Sequence, residues 1–208
     1  MYSQHAEEQH ILEIFTIRGC IQMGTFLDVG AWNGKLLSNT YRLTELGWSG
    51  VLVEPSPGPF RALLELHGKN PQLHLVNAAV APLDSPDLMR FYVTDDAVST
   101  SVEDFKRVWA SAVDYRPIYV KPLAARSLAQ FCEDKLGPLC IDLVSVDTEG
   151  SSFEIAQALY AALKIKPRAW CVEYATQYRS YAADFKALFK DYRLVYTSEE
   201  NLLFARDF

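Results

Sequence analysis

Short apolar runs recur along the chain, and between them apolar residues follow a helical spacing. Five of these runs predict buried strands: residues 25–29 (TFLDV), 50–54 (GVLVE), 73–79 (LHLVNAA), 142–147 (DLVSVD) and 169–173 (AWCVE). Strands that alternate with helices across short turns are typical of α/β folds, in which helices cover both faces of a parallel sheet. The pattern therefore predicts an α/β fold with a mostly parallel sheet.

Helix start and end signals divide the segments between these strands. A first helix is predicted over residues 5–18, before the first strand. Another opens at Pro59 and closes at Gly68, because proline is favoured at the start of a helix and glycine after its end. Ser151 and Glu154 have the spacing of a capping box, which predicts a further helix directly after the fourth strand.

Two regions depart from this alternation. Residues 192–208 (YRLVYTSEENLLFARDF) predict two strands around the polar turn SEEN, forming an antiparallel hairpin at one edge of the sheet. Residues 82–125 are too long for a simple connection, and they contain two strand-like runs and a short helical stretch near 102–113. We expect this insertion to act either as a lid or binding loop or as a structural flap over the sheet.

Length and charge limit the classes of function. With 208 residues, half of them hydrophobic, the chain can bury the core of a single domain over 1–208. Its net charge of -6 would repel a phosphate backbone, so no nucleic-acid partner is expected. The N-terminus, MYSQHAEEQH, lacks a basic start and an apolar run, and no stretch is long enough to span a bilayer. A soluble, cytoplasmic protein without a membrane partner is therefore expected.

The cysteines and histidines do not have the spacing of a metal site or a catalytic group. The cysteines are far apart, which favours buried reduced thiols over zinc ligands: Cys20, Cys132, Cys140 and Cys171. The histidines lie in helix-like stretches or within a strand, which favours solvated or core roles: His5, His10, His67 and His74.

Two glycines follow the first strand in the sequence FLDVGAWNG. In an open parallel sheet, ligands bind outside the carboxyl ends of the strands, where helix N-termini present free N–H groups. The spacing from Gly30 to Gly34 is not the G-x-G-x-x-G of dinucleotide folds, and the bulky Trp32 leaves less room for a diphosphate. The two glycines predict either a tightly packed turn or a ligand-binding loop, and the chain is expected to continue from them into a helix.

Polar residues at the next two strand ends indicate a nucleoside site. Glu54 precedes Pro55 at the end of the second strand and could accept hydrogen bonds from both ribose hydroxyls. Asn77 follows the third strand, where its amide could bind an adenine edge or simply favour a turn. A nucleoside site without a phosphate cradle suggests S-adenosylmethionine. Asp28 would then bind the ligand amine, directly or through water, or tie down N–H groups of the loop.

Three carboxylates are predicted to meet beside this site. Asp147 and Glu149 follow the fourth strand, and Glu173 ends the fifth. Such acids repel one another unless a divalent cation such as Mg²⁺ binds them or one of them has a raised pKa. Either arrangement could remove the proton from an alcohol during methyl transfer. Asp147 is therefore predicted as a general base or metal ligand, and Glu149 and Glu173 as similar groups or as helix and strand caps.

Taken together, these motifs resemble the FkbM family of S-adenosylmethionine-dependent methyltransferases. The matching segments are FLDVGAWNG, GWSGVLVEPSPGPF, LVNAAVA, RSLAQF and DLVSVDTEGSSFEIAQAL, which appear in the order of the family between Thr25 and Leu163. The resemblance implies a Rossmann-like, seven-stranded methyltransferase sheet with an inverted final strand, in agreement with the hairpin predicted above. It also implies O-methylation of a hydroxyl on a sugar or on a polyketide-type small molecule.

The resemblance also assigns roles to residues. Asp28, Gly30 and Gly34 match the cofactor loop, in which Trp32 stands where a third glycine is common. Asp147, Glu149 and Gly150 match the D-x-E-G signature, Glu54 the ribose acid, and Asn77 with Ala78 the adenine-side segment; the insertion carries a polar cluster at Ser99, Thr100 and Ser101. The predicted cofactor contacts are Asp28, Gly30, Ala31, Trp32, Asn33, Gly34, Glu54, Pro55, Asn77, Ala78 and Asp147.

Three other functions compete with an O-methyltransferase. The glycine loop and Glu54 would also suit a NAD-dependent oxidoreductase, although the missing G-x-G-x-x-G weakens that interpretation. A non-catalytic module could keep the fold and the cofactor and act by binding a partner. A nucleic-acid methyltransferase is disfavoured by the net negative charge.

Overall fold

A seven-stranded sheet organises the chain in the computed structural model, which describes residues 1–84, 87–94, 96–137, 141–175 and 179–206. The helices of these residues are α1 Glu7–Ile14, α2 Tyr41–Glu45, α3 Pro57–His67, α4 Glu103–Trp109, α5 Ala125–Leu136, α6 Ser152–Ala162 and α7 Ala182–Leu188. Their strands are β1 Thr16–Ile17, β2 Cys20–Ile21, β3 Thr25–Val29, β4 Ser49–Val53, β5 Leu73–Val76, β6 Val80–Ala81, β7 Met89–Val93, β8 Arg116–Val120, β9 Leu123–Ala124, β10 Leu143–Val146, β11 Ala169–Glu173, β12 Arg193–Thr197 and β13 Asn201–Ala205.

The strand order of the main sheet is β12-β13-β11-β10-β3-β4-β5. The five strands from β11 to β5 are parallel, β13 runs antiparallel to β11, and β12 closes the hairpin at the edge. The predicted Rossmann-like sheet and its C-terminal hairpin are therefore confirmed. The chain order reverses between β3 and β10, so the crevice for a ligand is expected at the carboxyl ends of these two strands.

The predicted strands are all present, and two of them have the predicted bounds. These are β3 and β11, whose residues are nearly all buried between helices. Strand β4 begins at Ser49 and ends at Val53, one residue before the predicted end, and β10 is a residue shorter than predicted at each end. Strand β5 ends at Val76 instead of residue 79, because the amide of Asn77 bonds to main-chain carbonyls beyond β4 instead of continuing the strand.

The predicted helices are present, but two of them have other bounds than predicted, and the predicted capping box is absent. Helix α1 ends at Ile14 instead of residue 18, because the next residues turn at Gly19 (φ +78°) and pair as the small β1–β2 hairpin. Ser151 does occupy the N-cap position of α6, but its hydroxyl donates to Thr148 and caps no helical N–H group, so the capping box does not form. Helix α3 begins at Pro57, two residues before the predicted start, and ends next to Gly68 as predicted.

The glycine loop does not continue directly into a helix, contrary to the prediction. Asn33 Oδ1 accepts hydrogen bonds from the next two available N–H groups, at Lys35 and Leu36. Ser38 Oγ in turn accepts from the N–H group of Tyr41, where α2 begins. The side chains of Asn33 and Ser38 thus accept hydrogen bonds from main-chain N–H groups that a helix would pair with carbonyl oxygens, and helix α2 begins only at Tyr41.

Two hydrophobic clusters lie on opposite faces of the sheet. Along β3, Leu27 and Val29 face the cluster that contains α5, α6 and α7, whereas Phe26 faces the cluster that contains α1, α2 and α3. Helices therefore cover both faces, as predicted. No helix among the described residues is long and apolar enough to cross a membrane.

The insertion at 82–125 forms a folded flap. Strands β7 and β8 pair antiparallel, α4 lies between them in the chain, and Phe91 and Val93 pack with Ala79 in a small third cluster. Thr100 fixes the flap to the sheet edge, because its hydroxyl donates a 2.6 Å hydrogen bond to the main-chain oxygen of Glu149. The flap thus lies beside the acids predicted for the site.

Cysteine burial is predicted correctly at two positions. Cys132 and Cys171 are buried, and burial raises the pKa of each thiol. Cys20 is exposed on the β1–β2 hairpin, so its predicted burial is wrong, because this hairpin lies outside the core. Cys140 lies outside the described residues.

Among the histidines, His67 is buried and contacts the main-chain oxygen of Gly34, in agreement with a core role.

Candidate functional site

Three cavities open at the carboxyl edge of the sheet, and they meet at two carboxylates. The first, about 550 Å³, is named the Glu54 cavity and is lined by Val53, Glu54, Ser56, Ala78, Ala79, Val80, Phe91 and Ile155 among others. The second, about 510 Å³, is named the Asp28 cavity and is lined by Asp28, Ala31, Ser38, Asn39 and Ser145 among others. The third, about 1400 Å³, is named the acidic cleft and is described below. Asp147 and Glu149 line all three.

The glycines of the loop are required by close packing. Gly30 has φ +93°, and a Cβ placed on it would lie 1.6 Å from the main-chain oxygen of Asp147. Gly34 has φ +75°, and its Cβ would lie 2.3 Å from Leu63. Trp32 has φ +45°, the conformation that favours glycine, so the loop keeps its shape without the third glycine. Gly30 and Trp32 line both the Glu54 cavity and the Asp28 cavity.

Glu54 supports the loop and faces its cavity at once. Oε2 accepts a 2.9 Å hydrogen bond from the N–H of Trp32, and Oε1 accepts a 2.7 Å bond from the N–H of Ser56. The residue is 5% exposed, and burial raises the pKa of its carboxyl, although these two bonds act in the opposite direction. Each oxygen of a carboxylate can accept two hydrogen bonds, so both oxygens keep capacity for a ligand.

The other predicted cofactor residues divide between the cavities and the loop. Pro55 and Ala78 line the Glu54 cavity, and Ala31 lines the Asp28 cavity. The amide of Asn77 donates to the main-chain oxygens of Glu54 and Pro55, and the residue is not among those that line the cavities, which favours its alternative role as a turn residue. Asn33 likewise uses its side chain within the loop.

Asp28 is buried at the base of its cavity. The residue is 4% exposed, and its carboxylate accepts a 2.6 Å hydrogen bond from Thr40 Oγ1 and a further bond from the side chain of Ser145. Burial raises the pKa of this carboxyl to about 6. The N–H groups of Gly30, Ala31 and Trp32 donate to Val53 and Glu54, and none of these bonds goes to Asp28. The carboxylate of Asp28 can therefore accept hydrogen bonds from a ligand, and its alternative role of tying down the loop is not favoured.

Glu173 is 7% exposed and is held by more hydrogen bonds than either of the other two carboxylates predicted to meet. It accepts hydrogen bonds from the Ser152 hydroxyl (2.6 Å) and from the N–H of Glu149 (3.1 Å), with further main-chain support from Thr148 and Gly150. These bonds favour its charged form against the burial that raises its pKa. Among the three acids, Glu173 is therefore the one whose charged form is best stabilised by hydrogen bonds.

The pKa values of Asp147 and Glu149 are raised well above the ordinary range. Burial is the main cause for both, and the negative charge of Glu173 is the next. No described side chain donates a hydrogen bond that opposes this shift. Glu149 also has φ +54°, a costly conformation for a residue with a side chain, held here by the bond from Thr100. Two proton-binding groups thus stand where the cavities meet.

The predicted metal set receives no support from the geometry. Among the described residues, one group of three has ligand atoms that all lie within 4.8 Å of one another, and it consists of His5, Glu199 and Glu200. Asp147, Glu149 and Glu173 do not form such a group, because Glu173 is turned toward Ser152 and the N–H groups that precede α6.

Two buried polar atoms in the cavities were missed from the sequence. Asn39 is 6% exposed, and its Oδ1 has no partner; Ser56 is 1% exposed, and its hydroxyl lies close enough to Glu54 to lower the pKa of that carboxyl. Asn39 lines the Asp28 cavity and Ser56 the Glu54 cavity. Ser56 directly follows Glu54, the acid predicted to bind a ribose, and Pro55, and this position could have indicated it. Asn39 has no such signal, because it reaches the site through the irregular loop.

The fold and these motifs agree with a known family. The family model of the methyltransferase FkbM domain matches residues 28–193, which is most of the chain. The chain therefore belongs to the FkbM methyltransferase family, and it has the Rossmann-like sheet of a methyltransferase. A search of curated proteins found no match.

Solved structures share the fold at low sequence identity. The methyltransferase FkbM of Methylobacillus flagellatus KT has a TM-score of 0.51 and 14% identity over 88% of this chain and 43% of its own. Monomeric WbdD has a TM-score of 0.52 and 11% identity over 98% of this chain and 41% of its own. Sp1610 of Streptococcus pneumoniae has a TM-score of 0.50 and 13% identity over 99% and 71%. The chain thus spans about two fifths of the first two proteins, and these likenesses establish the fold alone.

Proposed function

We propose that this protein is an S-adenosylmethionine-dependent O-methyltransferase that acts on a hydroxyl of a small molecule or sugar. One observation carries the proposal: Asp147 and Glu149 line the two cavities beside the glycine loop and also line the acidic cleft. A cofactor in the two smaller cavities and an acceptor in the cleft would therefore meet at groups that can take up a proton.

The residues of the Glu54 cavity fit an adenosine group. Glu54 has spare acceptor capacity for the ribose hydroxyls, and the Ser56 hydroxyl lies beside it. Ala79, Val80 and Ile155 give apolar walls for a flat base. The described lining contains no lysine or arginine, as suits a ligand without phosphates.

The residues of the Asp28 cavity fit the amino-acid end of the same cofactor. The buried carboxylate of Asp28 and the unpartnered Oδ1 of Asn39 are both acceptors, and an ammonium group offers three donors and a positive charge. An ammonium beside Asp28 would also offset the burial that raises its pKa.

Bound S-adenosylmethionine supplies a methyl group on a positively charged sulfur. The chain supplies the position of the acceptor and the removal of its proton. We assign Asp147 as the general base at the acceptor hydroxyl, and Glu149 as a second proton acceptor at the same junction. Their raised pKa values suit this work, because a carboxylate with a higher pKa is a stronger proton acceptor. Glu173 accepts a hydrogen bond from the N–H of Glu149 and so holds the turn after β10 in place. Its negative charge also raises the pKa values of Asp147 and Glu149.

The experiment is methyl transfer from radiolabelled S-adenosylmethionine to a panel of sugars and other hydroxylated compounds, with products located by mass spectrometry. The proposal predicts a label on oxygen, turnover that survives EDTA, and loss of turnover in Asp147→Asn. Transfer to nitrogen or carbon alone would contradict the O-directed assignment. Turnover that is unchanged in Asp147→Asn would contradict the role of the base.

A further inference from the structure

The acidic cleft combines an aromatic wall with a cluster of acidic side chains. It has a volume of about 1400 Å³, and its wall from the flap is formed by Phe105, Trp109, Ala112 and Val113. Its acidic side chains are Asp96, Asp147, Glu149, Glu173, Glu199 and Glu200. None of the described residues that line it is lysine, arginine or histidine.

Asp147 and Glu149 have raised pKa values that favour their neutral forms, and the other four acids have little offsetting charge within the chain. Glu200 pairs with His5, which lies outside the cleft lining and whose pKa is raised by that contact. Glu173 is stabilised by Ser152 and by main-chain N–H groups, without a positive partner. Glu199 lies within 4.8 Å of His5 without a salt bridge to it, and the remaining lining acids have no salt bridge among the described residues. A ligand with a positive charge would therefore gain energy on entering the cleft, and an anionic ligand would lose it.

The aromatic wall indicates which kind of cation fits. Trp109 is half-buried, and its indole has no lysine or arginine stacked on it among the described contacts. The face of an indole is the best protein surface for an organic ammonium, and acids at its rim strengthen that attraction. A bare metal ion would gain nothing from Phe105 or Val113, whereas an organic cation would also bury its carbon atoms on them.

We propose that the methyl acceptor is a hydroxylated compound that carries a positively charged amine, with the amine seated between Trp109 and the acids of the cleft. This inference rests on the proposed function, because the cleft is taken as the acceptor site. It narrows the acceptor from hydroxylated small molecules in general to cationic ones, of which an amino sugar is an example. Asp96 and Glu199 are the exposed acids of the set, and Glu199 lies on the C-terminal hairpin whereas Trp109 lies on the flap.

A pair of probes with the same shape and different charge tests the inference. Choline carries a hydroxyl and a quaternary ammonium, and 3,3-dimethylbutan-1-ol is its neutral isostere. Binding of each to the protein saturated with S-adenosylhomocysteine is measured by saturation-transfer NMR. We expect choline to bind at least about fivefold more tightly, with a preference that weakens as salt is added.

Two variants and a control locate the effect. Trp109→Leu and Glu199→Gln should each reduce the preference for choline, and Glu65→Gln, an exposed acid on α3, should leave it unchanged. Equal binding of the two probes, or a preference that persists in both variants, would overturn the inference. The titration with S-adenosylhomocysteine is recorded on the same samples. Failure of that titration counts against the proposed function, whereas failure to discriminate between the probes with the cofactor product bound counts against the cationic acceptor.

Discussion

The main-chain N–H of Trp32 donates a 2.9 Å hydrogen bond to Oε2 of Glu54. This bond joins the loop after β3 to the end of β4, and it holds Trp32 in a conformation that usually requires glycine. The acid proposed to bind the ribose is therefore also the acid that shapes the cofactor loop. Changes at Glu54 should affect cofactor binding and folding together.

Glu54→Ala should weaken the binding of S-adenosylhomocysteine by about 1.5–3 kcal/mol, as expected for the loss of hydrogen bonds to a charged group. It should also lower the free energy of unfolding, because the N–H groups of Trp32 and Ser56 lose their partner. Calorimetric titration and urea denaturation measure the two effects. Glu65→Ala on α3 is the control and should change neither. An unchanged affinity in the folded Glu54→Ala protein would remove Glu54 from the proposed site.

Gly30→Ala should be strongly destabilising. A Cβ would lie 1.6 Å from the main-chain oxygen of Asp147, and φ is +93°, so both sterics and backbone strain oppose the side chain. Gly58→Ala is the matched control, because Gly58 lies in α3 with open space around its Cβ. That change should raise stability by up to about 1 kcal/mol, from helix propensity. Thermal denaturation checks both, and similar melting temperatures for the two variants would contradict the close approach at Gly30.

The affinity for S-adenosylhomocysteine should rise with pH between pH 5 and 7. The pKa of Asp28 is about 6 in the folded protein, so the carboxyl is largely protonated at pH 5, and binding the ligand ammonium must then release a proton. The charged carboxylate of Asp28 binds the ligand ammonium better than the protonated carboxyl does, and raising the pH through 6 favours the charged form. A single group of this kind gives about tenfold weaker binding at pH 5 than at its plateau.

Asp28→Asn should remove the pH dependence of the affinity for S-adenosylhomocysteine, because the amide does not titrate between pH 5 and 7.

The pKa of Asp28 should also make the stability of the ligand-free protein depend on pH. The folded-state pKa of Asp28 is raised above the unfolded value of 3.8, so its stabilising protonated form is lost as the pH rises through about 6. Relative to Asp28→Asn, the wild type should therefore become less stable between pH 4 and pH 7. Parallel curves for the two proteins would contradict the assigned pKa.

Asp147→Asn should reduce kcat by about a hundredfold to ten-thousandfold, the usual contribution of a general base, with nearly unchanged affinity for S-adenosylhomocysteine. In the wild type, kcat should increase with pH, because the raised pKa keeps Asp147 protonated and inactive at low pH. The variant should lose this ascending limb. The measurement is a pH profile of kcat at saturating acceptor. Equal losses of turnover and affinity would contradict the separation between the base and the cofactor residues.

Much of the fold could be predicted because buried parallel strands give continuous apolar runs. Strands β3 and β11 were predicted at both ends, since nearly all of their residues are buried on both faces of the sheet. The glycine loop was located correctly, but its helix was not. The acceptors of Asn33 and Ser38 bind N–H groups that a helix would have used, and periodicity does not reveal that competition.

The site was predictable where its residues directly follow strands, and less so elsewhere. Asp147, Glu149 and Glu54 follow strands that could be identified, and all three reach the cavities. Trp109 and Glu199 face the same cleft although they lie far apart in the sequence, because the folded flap and the C-terminal hairpin bring them together. Their proximity depends on tertiary packing, so the proposed acceptor site could not be located from the sequence alone.

The most direct test of the central claim is calorimetric titration of the purified protein with S-adenosylhomocysteine and, separately, with NAD. The arrangement of Glu54, Ser56, Asp28 and Asn39 predicts one molecule of S-adenosylhomocysteine bound per chain, and no saturable binding of NAD. Binding of NAD, or the absence of binding by S-adenosylhomocysteine, would contradict the assignment of the two cavities to the cofactor of a methyltransferase.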